Sequence, residues 1–176
     1  MVAVAALLLA AAQASCPVQL VRFEVRGESM RGLLAPGSEL AAELGYYACH
    51  PVRRGDLAIV RLPWRKRPIV KRVLALPGDR IALRAGPAGV RLLVNGRPLT
   101  TPGGAPYAFR GGRERMLRLY VEQFGGALPP GTFFVFGTER GGSLDSSRFG
   151  PVLRSELAGR VRRRATAGRA QGQGGP

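Results

Sequence analysis

Ile69-Val70-Lys71-Arg72-Val73-Leu74-Ala75-Leu76-Pro77-Gly78-Asp79 is the stretch that decides how this chain folds. From Ile69 to Leu76 it is a short, largely apolar run rich in β-branched side chains, and Pro-Gly-Asp closes it as a turn. Such a run reads as a strand. Successive side chains in a strand alternate, so Ile69, Lys71 and Val73 share one face and Val70, Arg72 and Leu74 the other. A lysine between two β-branched apolar residues is out of place there. Of the 27 basic residues in the chain only Lys66 and Lys71 are lysines. Lysine differs from arginine in one decisive respect: burial can make it neutral, whereas arginine stays protonated. Full burial lowers a lysine pKa by up to ~3–5 units, which makes it a usable general base near neutral pH. A half-exposed lysine on an edge strand would show the same local pattern, so Lys71 needs a partner.

Working outward, the chain continues to read as β. Leu57 to Leu62 is a second short apolar run, introduced by Gly55-Asp56. Arg80 to Arg84 and Val90 to Val94 read as further strands, and Asn95-Gly96 after Val94 is a strong hairpin signal because both residues tolerate positive φ. Thr132 to Phe136 is another strand, and Ala158 to Arg162 reads as the last. One helix is expected over Gly112–Phe124, where Met116, Leu117, Tyr120, Val121 and Phe124 recur at helical spacing ahead of Gly125-Gly126. Ser38 to Tyr46 is ambiguous: its Glu, Leu and Ala favour helix, but it is short and lies among strands. The abundance of Gly and Pro, 25 and 14 of 176 residues, agrees with a turn-rich β domain.

Residues 1–21 carry no charge, and the first basic or acidic residue is Arg22. About 20 apolar residues span a bilayer core, so the segment is just long enough for an uncleaved anchor. Its most apolar part, Met1–Ala12, also has the size of an export-signal core, with Ala12-Gln13-Ala14 as an A-x-A arrangement. Arg22 and Arg26 follow the segment, and the positive-inside rule would place the carboxyl side in the cytoplasm. The chain divides into this segment (1–21), a domain (22–162) and a polar, Gly-rich tail (163–176) expected to be disordered.

The net charge is +16. A charge of that size suits polyanions, and anionic lipid is the partner expected here. The near-exclusive use of Arg reads as coding bias, so no specific nucleic acid is expected. Two Cys and one His exclude a structural zinc site, which usually takes four such ligands, and leave room for at most one disulfide. No cofactor is expected. A Ser-His-Asp triad would have to use His50, which sits in Ala48-Cys49-His50-Pro51 and reads as a loop histidine beside an ordinary cysteine. A candidate partner for Lys71 is Ser29, in Gly27-Glu28-Ser29-Met30, although a short Gly/Ser turn of this kind is common and by itself a weak signal. A serine hydroxyl is a weak nucleophile until a base takes its proton, and a neutral lysine can do so.

Four stretches in order then carry a resemblance. Gly27–Met30 resembles the nucleophile motif of the signal peptidase I family, and Arg54–Val60 looks like its second box. Val70–Asp79 is very similar to the box with the family's general-base lysine, and Phe136–Val152 looks like its last box. The match runs from about Val25 to Val161, roughly three quarters of the chain. It implies a mainly β, signal-peptidase/LexA-like fold with one short helix and an N-terminal hydrophobic helix. It also implies a serine endopeptidase that removes signal peptides from exported precursors with small residues before the cleavage site. By position, Ser29 would be the nucleophile and its backbone N–H the oxyanion donor. Lys71 would be the base, with Ser143 orienting it and Asp145 and Arg72 in support. The domain would sit on the outer side of the cell membrane behind a single span.

The sequence departs from the family pattern in three places. Arg31 replaces the usual Pro after Ser-Met, the last box begins Gly137-Thr138-Glu139-Arg140, and Asp145-Ser146-Ser147-Arg148 carries one residue more than Asp-Ser-Arg. The expected Asp-Arg pair is therefore open. Two alternatives stand beside this reading: a LexA-type self-cleaving repressor, and a catalytically inactive basic module that binds membranes.

Overall fold

The computed structural model describes residues 16–139 and 143–162. Within them the chain runs β1 (Gln19–Glu24), β2 (Glu39–Leu44), α1 (Tyr46–Cys49), β3 (Leu57–Val60), β4 (Ile69–Ala75), β5 (Ile81–Arg84), β6 (Arg91–Val94), β7 (Arg97–Pro98), α2 (Gly111–Gln123), β8 (Thr132–Phe136), α3 (Ser146–Phe149), β9 (Val152–Leu153) and β10 (Leu157–Arg162). The larger sheet has the order β1-β2-β10-β3-β4-β8-β9, and every neighbouring pair is antiparallel. The smaller sheet is β5-β6-β7. The domain is mainly β, as expected.

β4 is an interior strand. It pairs with β3 on one side, Lys71 opposite Ala58, and with β8 on the other, Arg72 opposite Phe136. That removes the reading of Lys71 as an edge-strand residue. β6 and β7 are joined at Asn95-Gly96, with φ of 51° and 78°. Positive φ at both positions matches the right-handed twist of the flanking strands.

Three apolar clusters hold the sheets together. The first packs α2, through Leu117, and the smaller sheet, through Ile81, Leu92 and Val94, against Phe134 and Phe136 of β8. The second joins Val73, Val60 and Val135 to Tyr47 of α1. The third gathers Leu57, Ile59 and Ala42 around Met30 and Leu34 of the β1–β2 connection. Met30 therefore anchors its neighbour Ser29 to the core.

The structure resolves one open reading and corrects others. Glu39–Leu44 is a strand despite its helix-favouring composition, because it lies between β1 and β10 and bonds to both. Neighbouring strands outweigh a local preference worth a few tenths of a kcal/mol per residue. The boundary drawn at residue 21 falls inside β1, since Gln19, Leu20 and Val21 pair with Leu44, Glu43 and Ala42. The single helix expected is joined by two single-turn helices, α1 and α3. The ordinary cysteine at 49 is bonded to Cys16. His50 caps α1 rather than lying in a free loop: its ring stacks on Tyr46 at 4.1 Å, and Nδ1 meets the Tyr46 carbonyl at 3.0 Å. Residues 1–15 of the expected N-terminal helix, the 163–176 tail and Arg140 lie outside the described residues.

Candidate active site

Ser29 lies in the turn after β1, and Lys71 rises from the middle of β4. Their chain separation of 42 residues closes to 2.7 Å between Lys71 Nζ and Ser29 Oγ. Nζ also donates to the Val70 carbonyl at 2.9 Å. Lys71 is only 2% exposed. Burial pushes its pKa from the ordinary 10.5 down to about 8; the negative Asp145 opposes the fall and the positive Arg65 adds to it. The lysine thus reaches a neutral form within a pH range at which an ordinary lysine stays charged, and its lone pair can then accept the Ser29 proton.

The nucleophile turn is fixed from both sides. Met30 is buried below it, and the Ser29 carbonyl accepts from the backbone N–H of Thr138 at 2.8 Å and of Glu139 at 3.4 Å. Thr138 Oγ1 also donates to the Arg31 carbonyl at 2.5 Å. Both Thr138 and Arg31 are departures from the family pattern, and here they bind each other. The Ser29 N–H has no protein acceptor among the described residues. Gly27, two residues earlier, has φ +81°, a conformation that would strain a serine placed there as a second donor.

The other expected residues divide. Asp145 is fully buried and accepts from Ser147 N at 3.1 Å, Ser147 Oγ at 2.6 Å and Gly137 N at 3.4 Å. It caps α3 and holds the end of β8 beside the dyad. The open question of its cation has an answer in the structure. Arg113 of α2 approaches Asp145 Oδ2 at 3.5 Å and donates through Nε to Ser147 Oγ at 2.6 Å, while its guanidinium lies 4.9 Å from the Phe109 ring centre. Arg148 instead donates to the Ser143 carbonyl at 3.2 Å.

Ser143 is fully buried, but its hydroxyl makes no hydrogen bond among the described residues, so it does not hold Lys71 here. Arg72 makes no hydrogen bond to Ser29 or Lys71 among them either. Arg54 and Asp79, from the second and third boxes, form an ion pair in which Nη2 donates to both carboxylate oxygens at 2.7 Å, and the Leu76 amide and Asn95 donate to the same carboxylate. Burial raises the Asp79 pKa, but those hydrogen bonds outweigh it and hold the carboxyl below its ordinary value. This pair ties the β3 entry to the β4 exit and supports the strand that carries Lys71.

Two residues near the dyad were not among the expected site residues, although Gly137 lies in the last box. Arg113 is one arginine among many. Gly137 sits so close that a Cβ there would collide with Ser143 Oγ and the Ser29 carbonyl. An open cleft of about 730 Å³ leads to the dyad, with apolar walls that include Val25, Leu34, Ile59 and Val70.

The residues 1–165 match the family described as signal peptidase, peptidase S26. Signal peptidase I of Bacillus caldolyticus is 34% identical over 142 residues, 79% of this chain and 75% of that protein. Signal peptidase I of Leptolyngbya laminosa is 29% identical over 146 residues, 78% of this chain and 64% of that protein. The crystal structure of a signal peptidase I from Enterococcus faecalis V583 aligns with a TM-score of 0.47 at 22% identity, over 64% of this chain and 98% of that one. A family match spanning nearly the whole sequence, with a relative above 30% identity over most of both chains, means that this chain belongs to the signal peptidase family, peptidase S26.

Proposed function

We propose that this protein is a serine endopeptidase that removes signal peptides from exported precursors, with Ser29 as nucleophile and Lys71 as general base. The observation that carries the roles is the 2.7 Å contact between a buried lysine and a serine at the base of an open apolar cleft. Neutral Lys71 takes the Ser29 proton as Oγ attacks the scissile carbonyl. The Ser29 N–H donates to the resulting oxyanion. Lys71 then passes its proton to the leaving amine, the C–N bond breaks, and an ester to Ser29 remains. Water, deprotonated by Lys71, cleaves that ester and restores the hydroxyl.

The same reading puts the domain on the outer face of the cell membrane, held by the apolar segment ahead of β1. Among the described residues no helix is long and apolar enough to cross a membrane. The Cys16–Cys49 disulfide supports an extracytoplasmic setting, since such bonds persist in oxidising compartments. Proteolysis of intact cells and spheroplasts tests the side: a domain protected until the cell membrane is breached overturns this topology.

The activity is tested by incubating the protein with a precursor bearing an Ala-x-Ala site and sequencing the new amino terminus. Ser29→Ala and Lys71→Arg should both be inactive. Arginine keeps the charge but cannot release its proton at accessible pH. A Lys71→Arg variant with even about a tenth of the wild-type activity would remove Lys71 as the base.

A further inference from the structure

The dyad accounts for part of the cleft lining. The rest of its lining holds a feature that peptide hydrolysis does not require. Arg61, Arg65 and Arg67 enter the lining from the β3–β4 connection, and Arg26 lines it from the β1–β2 connection. All four are exposed. None of them forms a salt bridge among the described residues, although arginines elsewhere in the domain do. The single acidic residue in the lining is Glu24. Arg65 stands close enough to Lys71 to help lower its pKa, so this charge extends to within electrostatic reach of the reacting bond. Low-dielectric walls lined by one sign of charge concentrate the field and favour ligands of the opposite sign.

We propose that Arg61, Arg65 and Arg67 form an acidic-side-chain subsite, so that the cleft selects precursors carrying Asp or Glu within a few residues of the scissile bond. The inference rests on the reading of this cleft as the substrate site. The occupant is peptide rather than lipid because the arginines line the same open cleft as Ser29 and Lys71, where an extended chain must lie to be cut. Guanidinium groups suit such a role, since they hold a carboxylate through two parallel hydrogen bonds.

The test uses the full-length protein and three Ala-x-Ala peptides that differ only in a flanking pair of residues: acidic, neutral amide or basic. The acidic peptide should be cleaved with a kcat/KM about fivefold above the neutral one, the size of one exposed ion pair, and the basic one less well. The difference should lie in KM and shrink in high salt. In Arg65→Gln/Arg67→Gln the ratio of acidic to neutral should fall towards one. No acidic preference in the wild type, or a preference that survives in the double variant, overturns the subsite. So does a double variant that keeps the peptide preference while losing affinity for phosphatidylglycerol vesicles, because the arginines would then serve the membrane. Binding of the same peptides to Ser29→Ala separates this inference from the proposed chemistry. If no peptide is cleaved, an acidic preference in binding still supports the subsite, and equal binding refutes it.

Discussion

Lys71→Met should abolish cleavage and yet stabilise the domain at neutral pH. The lysine is 2% exposed, and burial brings its pKa from 10.5 to about 8. One pKa unit corresponds to ~1.4 kcal/mol, so holding the charged form in the fold costs about 3 kcal/mol. Between about pH 8 and pH 10.5 the unfolded chain keeps its proton while the folded lysine has lost it. Stability therefore rises with pH across that window. Below it both states are protonated, and the full penalty remains. Methionine removes the penalty but also the hydrogen bonds to Ser29 and the Val70 carbonyl. At about 1 kcal/mol each, these losses leave a net gain of roughly 1–2 kcal/mol at about pH 7. Urea unfolding of both proteins at about pH 7 and about pH 10 measures it. The advantage of the variant should disappear or reverse at the higher pH, where the wild type gains about 2–3 kcal/mol from its own titration. A variant that is less stable at neutral pH, or a difference that does not move with pH, would refute the argument. With Lys71 as the proposed base, wild-type cleavage should rise with pH through about 8, which a pH–rate profile measures.

Gly137→Ala should lose most activity and about 1–3 kcal/mol of stability, because its methyl group would push on the Ser29 carbonyl and the Ser143 hydroxyl; cleavage rate and urea midpoint report the two effects. Arg113→Met should destabilise the domain by about 3 kcal/mol, since it leaves the buried Asp145 without its cation, whereas Arg148→Met should cost far less. Chemical unfolding of the two variants side by side decides which arginine serves Asp145. Cys16→Ala/Cys49→Ala should lower stability by about 3–4 kcal/mol, the chain-entropy value for a bridge across 33 residues, and reductant should reproduce the loss in the wild type but not in the variant.

The sequence by itself determined the β character, most strand positions and the identity of Ser29 and Lys71 as partners to be sought. The strands and Lys71 are legible because they rest on short-range order: the alternation around Lys71, the turn chemistry of Asn95-Gly96 and Pro77-Gly78-Asp79, and the rarity of lysine in a chain that otherwise uses arginine; Ser29 is legible through the resemblance of its Gly27–Met30 context to the family's nucleophile motif. Only the tertiary structure decided how Glu39–Leu44 folds, because its neighbours β1 and β10 are remote in sequence and supply the hydrogen bonds that its composition does not predict. The same holds for the cation of Asp145. Any of several arginines satisfies the charge, but only helix packing brings Arg113 to within 3.5 Å. The crowding at Gly137 and the Cys16–Cys49 bond likewise depend on distances across the fold. Lys71 joins the two levels. Its residue type is written in the chain, but its lowered pKa comes from desolvation, which exists only once β3, β4 and β8 have closed around it.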